Sequence, residues 1–278
     1  MRTPREIAGM LREAHAILHE LRDVPLRVQE RPGASIRVLP GTDSPFASAT
    51  KNRVTVYDPL AADLVETLRA AQEVYAEAGV SHWFAELGPG ATAAQIVAAM
   101  KGVGARVVPY VRYPALAREP GEMDAVRTSL EVRRVSAEEA RKHEAELDAI
   151  WGKPGSAAPT MRAVGREGYG VVVAFDGARA VGMGMLIAPN RVAGSARGGK
   201  CGGIGYLSAG GTIAECRGRG GQSAIIAERV RLAHEWGCQV CVSETVSAVM
   251  TSENNLRRAG FETAFEWVMV EVGEYASR

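Results

Sequence analysis

No stretch of the sequence is apolar for long enough to cross a membrane, which takes about 20 residues. Aromatic residues make up only 6% of the chain, so there is no stacking platform for the bases of RNA or single-stranded DNA. Charge of either sign is not in excess. The 33 Lys and Arg against 32 Asp and Glu leave a net charge of +1, and no global field draws in nucleic acid or an anionic membrane. Only four cysteines occur, Cys201, Cys216, Cys238 and Cys241, too few for a disulfide framework, and a reducing cytoplasm is expected. The N-terminal MRTPREIAGMLREAHAILHEL is amphipathic and lacks the uninterrupted apolar core of a secretion signal, so none is expected. The Walker pattern and the dinucleotide-binding GxGxxG are also absent.

What is present suits one large domain or two ordinary ones: 278 residues, 46% apolar, 23% charged. Helical spacing begins at residues 3–22, with Ile7, Met10, Leu11, Ala14, Leu18 and Leu21 on one stripe. Residues 30–50 are rich in Pro, Gly, Ser and Thr and read as loop. A strand at 53–57, a helix opened by Asp58 and Pro59, a strand at 82–87, a helix at 91–103 and a strand at 105–113 follow. The polar segment 114–127 reads as a linker, giving a boundary between residues 127 and 128.

Beyond it, a strand at 130–135 leads to Ser136, whose spacing to Glu139 predicts a capping box. A hairpin over 168–189 turns at Asp176-Gly177, and the glycine-rich 189–203 reads as a mobile loop. A strand at 204–214, a helix at 222–236, a strand at 239–246, a helix at 250–259 and a strand at 262–272 complete the chain. The fold class is therefore α/β or α+β: a mixed sheet flanked by helices in the C-terminal half, after a smaller βαβαβ-type N-terminal domain.

Between the strand at 204–214 and the next helix lies ECRGRGGQSAII. Helix N-termini present unpaired N–H groups and partial positive charge. Gly218, Gly220 and Gly221 reach backbone angles closed to other residues, which lets successive N–H groups converge on one anion. Arg217 and Arg219 add charge, and a row of donors suits a diphosphate better than a single phosphate. A flexible turn with solvated arginines and a contact to RNA are the competing readings. Gly182-Met183-Gly184, in a hairpin strand, reads as packing.

In this segment the chain resembles the GNAT superfamily of acyl-CoA-dependent N-acyltransferases. Arg217 and Gly220 match the family's phosphate-loop pattern. Gln222 departs from its usual last Gly or Ala, but TIAECRGRGGQSAII resembles a common variant that has Gln there and a Thr five residues before the Arg, as Thr212 is. SENNLRRAGF (252–261) resembles the family's last helix, and the likeness covers residues 130–272. It implies acetyl-CoA as co-substrate and no metal. The pantetheine arm would lie against the backbone of Thr212, Ile213 and Ala214, in a split between the fourth and fifth strands. The pyrophosphate would rest on N–H groups from Arg217 to Ser223, with Gln222 and Asn255 close to the cofactor. A strand N–H near Gly210-Gly211 would stabilise the oxyanion.

An amine attacks a thioester only when neutral, so a base is needed. Glu244, in the fifth strand beside the split, is the preferred candidate, and Glu215 is the second. The family's usual Tyr acid is replaced by Leu256, leaving Ser252, Asn254, Asn255 or water to protonate the thiolate. Trp151, Tyr169 and the loop 151–162 fall where the family shapes its acceptor pocket. The acceptor is the amine of a small molecule or peptide; neither nucleic acid nor a membrane is an expected partner, and a homodimer is allowed. Cys238 and Cys241 read as buried thiols, and His15 and His19, one helical turn apart, as a packed or solvated face rather than a metal site.

The two halves read as a degenerate tandem repeat or as a chance likeness. Aligning Gly79 with Gly237 sets Glu86 opposite Glu244 and Gly104 near Gly260. On the repeat reading the first copy has lost its phosphate loop to Asp58 and Pro59, binds no CoA, and buttresses or covers the second.

Overall fold

The computed structural model describes residues 2–20, 26–40, 52–103, 111–192, 203–245 and 250–272. The chain forms two compact units. One comprises Met10–Asp23 and Ala115–Thr263 with the first two residues; the other comprises Thr3–Gly9, Val24–Pro114 and Ala264–Arg278. The units therefore do not divide at residue 127. The expected linker begins as strand, because PALAR continues β5 (Val111–Arg118) with buried apolar residues at Ala115, Leu116 and Ala117. The segment 104–110, where a strand was expected, lies outside the described residues.

In the second unit, β1 (Arg27–Arg31) and β2 (Ala34–Val38) form a hairpin where a loop was expected. Arg31 pairs with Ala34, which leaves Pro32-Gly33 as the turn. Pro presets φ for one turn position, and Gly33 takes φ +65° at the other. β3 (Arg53–Val56) pairs antiparallel with β2 and parallel with β4 (Trp83–Leu87). β4 pairs antiparallel with β11 (Glu262–Val272). Between β3 and β4 lies α2 (Leu64–Glu77), which starts five residues after the expected Pro59 because Asp63 caps it by accepting from the Glu66 N–H at 2.9 Å. Asp58 instead closes a turn, accepting from the N–H groups of Leu60 and Ala61, and pairs with Arg5 at 2.5 Å. α3 (Ala93–Gly102) opens with a capping box of Thr92 and Gln95. Leu68, Ala71 and Tyr75 of α2 and Ile96, Ala99 and Met100 of α3 bury against Val54, Ala85 and Val270 of the strands.

In the first unit the strands run β6 (Glu131–Arg134), β7 (Tyr169–Asp176), β8 (Arg179–Ile187), β9 (Ile204–Thr212), β10 (Val240–Glu244), β5. β6 through β9 are antiparallel neighbours, β9 and β10 are parallel, and β10 and β5 are antiparallel. α1 (Pro4–Glu20) belongs to this unit from Met10 onward. α4 (Ala137–Leu147) carries the expected Ser136/Glu139 capping box, and a short α5 (Ala158–Met161) follows. α6 (Gly221–Glu235) makes the crossover from β9 to β10, and α7 (Met250–Arg258) follows β10. Leu186 of β8, Leu207 of β9 and Leu116 of β5 bury against Ile226, Val230 and Ala233 of α6 and Leu256 of α7. Gly182 and Gly184 serve packing: a Cβ on Gly184 would lie 2.7 Å from the Arg229 guanidinium carbon. Residues 193–202 and 246–249 lie outside the described residues, and so does Cys201.

Cys216, Cys238 and Cys241 are free and buried. Burial pushes the Cys238 thiol up to about 11 and the Cys241 thiol up to about 12, so neither is a thiolate at neutral pH. Among the described residues no cluster of three metal-ligating side chains occurs, and no helix is long and apolar enough to cross a membrane. Iodoacetamide at neutral pH should therefore leave Cys238 and Cys241 unmodified in the native chain and alkylate both in urea. Peptide mapping by mass spectrometry reads this, and rapid native alkylation would contradict the burial.

Candidate active site

β9 and β10 pair in register from Ile204↔Val240 to Leu207↔Ser243, and there the pairing stops. β9 continues five residues further, from Ser208 to Thr212, with no strand partner on that edge among the described residues. The last rung is fixed by Ser243, whose hydroxyl donates to the Leu207 carbonyl at 2.9 Å. A bulge helps part the strands. On the β8 side the register jumps between Met183↔Gly211 and Met185↔Ser208, and Ala209 takes φ +49°, the one positive φ among the described non-glycine residues. The irregularity thus starts one residue before the expected Gly210-Gly211. A cleft of about 750 Å³ opens along this edge.

At one end of the cleft stands the N-terminus of α6. The helices α2, α3 and α4 have their first N–H groups satisfied by Asp63, Thr92 and Ser136. α6 differs: its N-cap is Gly220 at φ +82°, with no side-chain cap and no acid in the first turn. Uncapped N–H groups and the helix dipole leave donors and partial positive charge at this end, the chemistry that suits an anion. Gly220 is required there, since a Cβ would lie 2.4 Å from the Arg127 carbonyl oxygen. Segment 127–130 is clamped to the loop, because Thr128 donates to the Arg219 carbonyl at 2.8 Å and accepts from the Leu130 N–H at 3.1 Å. Gly218, at φ +79°, has no atom within 4 Å of where its Cβ would stand.

Of the residues expected to hold the cofactor, Thr212, Arg217, Gly218, Gly220, Gly221, Gln222, Ser223 and Asn255 line the cleft. Three do not. Arg219 is a strut, bonded to Asp176 at 2.5 and 2.9 Å and to Ser129 at 3.0 Å, so its charge is spent on the β7–β8 turn. Ile213 is buried in the core and its N–H donates to Val181 at 2.9 Å. Ala214 starts a 3₁₀ turn through Cys216 and is no longer strand. The free strand edge is therefore Ser208–Thr212, displaced toward the bulge.

Of the candidate catalytic residues, Glu244 and Ser252 line the cleft. Glu215 does not: it is exposed and pairs with Arg179 at 2.8 Å. A backbone hydrogen bond, and then Arg179, hold its carboxyl below the usual carboxylate range. Glu244, at the end of β10, accepts on Oε2 from the Tyr206 hydroxyl at 2.8 Å and meets His15 Nε2 at 2.7 Å. His15 is buried and packs edge-on to Tyr206, with ring centroids 5.4 Å apart. His15 therefore contacts a carboxylate rather than forming a packed or solvated face with His19. Tyr206 is two residues from Ser208 along the same strand, a period-2 signal legible in sequence; His15 is 229 residues from Glu244 and carried none. Leu256 lines the cleft while packing in the core, and Trp151 stands exposed at the rim beside Ile150. Tyr169 is buried on β7, opposite Ile187, away from the cleft; desolvation raises its pKa.

Three polar atoms bear on what the cleft takes. Thr212 Oγ1, Gln222 Oε1 and Thr245 Oγ1 are buried with no partner among the described residues, and all three side chains line the cleft. Orphaned polar atoms of this kind cost free energy unless a ligand or water satisfies them. A long polar arm with amides, ending in a diphosphate, matches the free strand edge, the orphans and the uncapped helix together.

No family model matches the sequence, and no curated protein does. Solved structures do. A GCN5-related N-acetyltransferase from Kribbella flavida aligns over 100% of this chain and 98% of its own at TM-score 0.63 and 18% identity. A tandem GNAT protein from the clavulanic acid biosynthesis pathway aligns over 91% and 82% at TM-score 0.53 and 15% identity. A functionally unknown conserved protein from Staphylococcus epidermidis aligns over 91% and 96% at TM-score 0.53 and 11% identity. The chain has the GNAT fold. The likeness extends over both halves of it, as the coverage of the Kribbella protein shows.

Arg217→Glu with Gly218→Asp adds acid at the helix N-terminus; a side chain at Gly218 meets no atom within 4 Å, and its φ of +79° costs about 1–2 kcal/mol of backbone strain. It should abolish CoA binding in calorimetry with the fold intact by circular dichroism, and retained affinity would contradict the assignment. Gly220→Ala should instead destabilise the chain by roughly 1–3 kcal/mol through the Arg127 clash, read from urea denaturation.

Proposed function

We propose that the chain is an N-acyltransferase that moves an acetyl group from acetyl-CoA to a primary amine of a small molecule or peptide, by direct attack within a ternary complex. The observation that carries this is the unpaired edge Ser208–Thr212, which ends on an uncapped helix and has a carboxylate, Glu244, at its lip. N–H groups from Arg217 to Ser223 hold the pyrophosphate, with Arg217 adding charge. Ser208–Thr212 pairs with the pantetheine arm as a further strand would. Backbone N–H groups at the bulge face the thioester oxygen.

Glu244 takes the proton from the attacking amine, and its negative charge draws the ammonium form in beforehand. Tyr206 and His15 fix its carboxylate on the acceptor side. The amine nitrogen then adds to the thioester carbon, the C–S bond breaks, and the amide leaves with CoA as the thiol. The second N–H proton, released as the amide forms, passes through the Tyr206 hydroxyl or water to the thiolate, since Leu256 has none to give, and the proton on Glu244 returns to solvent. Trp151 at the rim offers the acceptor an apolar face. The reaction uses no metal and suits a cytoplasmic chain.

A second reading, a CoA-binding regulator that no longer catalyses, is favoured by Leu256 at the acid position. Thiol release from acetyl-CoA over a panel of amines separates the two: turnover supports the enzyme, and CoA binding without turnover on any amine supports the regulator. In the enzyme, Glu244→Gln should lower kcat by about 10²–10⁴-fold while acetyl-CoA binding holds. Unchanged kcat would remove Glu244 from the mechanism.

We further propose that the N-terminal half is a second, degenerate copy of the same fold with no CoA site. β3, α2 and β4 repeat the order of β9, α6 and β10, but β3 and β4 stay paired from Arg53↔Phe84 to Val56↔Leu87. The Gly88 N–H extends the pairing to the Val56 carbonyl, and Asp63 caps the helix. Glu86, aligned with Glu244, is fully buried and bonded to Arg53 at 2.7 Å and Thr55 at 2.8 Å. Calorimetry should give one CoA per chain; two would contradict this reading.

A further inference from the structure

Arg229 is a buried cation with no carboxylate bonded to it among the described residues. It lies on α6, 2% exposed, and hydrogen bonds to three carbonyls: Nε to Ile225 at 3.2 Å, and Nη1 to Met185 and to Ser208, each at 3.2 Å. Desolvation lowers its pKa to about 10, which leaves it charged at neutral pH. Burying a charge without a counter-ion is costly, and a leucine would fill this helix position for less. Two glycines clear the space it occupies. A Cβ on Gly184 would collide with the guanidinium, and one on Gly210 would stand 2.8 Å from Gln222 Nε2 and 3.3 Å from Arg229 Nη2.

The carbonyls it binds define the bulge. Met185 and Ser208 are the last register partners before β8 and β9 slip, and Ala209 and Gly210 have no register partner on either β8 or β10. A peptide whose carbonyl accepts from a cation is polarised, and its N–H becomes a stronger donor. The Ser208 carbonyl and the Ala209 N–H belong to one peptide group.

We propose that Arg229 is a positioning residue for acyl transfer: it pins the bulge and polarises the Ser208–Ala209 peptide, so that the Ala209 N–H is aimed and strengthened as the donor to the thioester oxygen. Its guanidinium borders the cleft, and its proposed effect on the thioester runs through that peptide. The inference rests on the acyltransferase reading and specifies what sets its oxyanion site. Gln222, whose Nε2 faces the same space, shares the floor beneath it.

The test reads the carbonyl itself and needs no turnover. Acetyl-CoA labelled with ¹³C at the thioester carbonyl is bound to the wild-type chain, to Arg229→Met and to Arg229→Lys, and its stretch is recorded by difference infrared spectroscopy. Affinities are measured alongside by calorimetry. The wild type should lower the stretch relative to free acetyl-CoA. Arg229→Met should lose most of that shift with affinity within about threefold, and Arg229→Lys should keep a large part of it. Where an amine is turned over, Arg229→Met should lose about 10²-fold in kcat, the cost of one oxyanion donor, with little change in KM for acetyl-CoA. Should Arg229→Met fail to fold, Arg229→Gln, which keeps N–H donors for the carbonyls but not the charge, should show the same loss of shift. Equal stretches in wild type and the neutral variant, at equal affinity, would overturn the inference and leave the acyltransferase reading standing. Failure of the wild type to bind acetyl-CoA at all would overturn both.

Discussion

The site depends on a refusal of two parallel strands to stay paired. β9 and β10 are held together through Leu207 and Ser243, and beyond that rung five residues of β9 keep a free edge. An unpaired edge inside a domain is costly, because buried backbone N–H and C=O groups need partners. A chain that keeps one is reserving those groups for something that pairs as a strand would. The bulge at Ala209, the buried Arg229 beneath it and the hydroxyl of Ser243 at the last rung all work to keep that edge open.

Under the proposed repeat, the N-terminal half shows what closes such an edge. There the corresponding strands run in register to their ends, the helix between them is capped by an aspartate, and the carboxylate that aligns with Glu244 is locked by Arg53 and Thr55. Each change has a separate physical effect: pairing removes the slot, the cap removes the anion site, and the ion pair removes the base. Glu244 differs from Glu86 in its neighbours. It is bonded to a phenol and an imidazole, and it lines an open cleft.

Much of this was legible in the sequence where the cause is local. The glycine-rich turn before α6, the capping box at Ser136, the hairpin at Asp176-Gly177 and the carboxylate at the end of β10 each follow from residues within a few positions of one another. What was not legible depends on residues far apart. Arg219 looked like phosphate-binding charge, yet Asp176 claims it from 43 positions away. Glu215 looked like a base, and Arg179 neutralises it from the other side of the hairpin. His15 reaches Glu244 from the first helix, and PALAR, which has the composition of a linker, is strand because β10 offers it an edge. The Pro32-Gly33 hairpin was a local signal passed over, since the proline and glycine that suggested loop are what a tight turn requires.

A crystal soaked in acetyl-CoA tests the central claim most directly. The account requires the pantetheine arm along Ser208–Thr212, the diphosphate on the N–H groups from Arg217 to Ser223, and the thioester oxygen at the bulge. Acetyl-CoA bound elsewhere, or a helix N-terminus that stays without the diphosphate while the ligand is in the crystal, would contradict it.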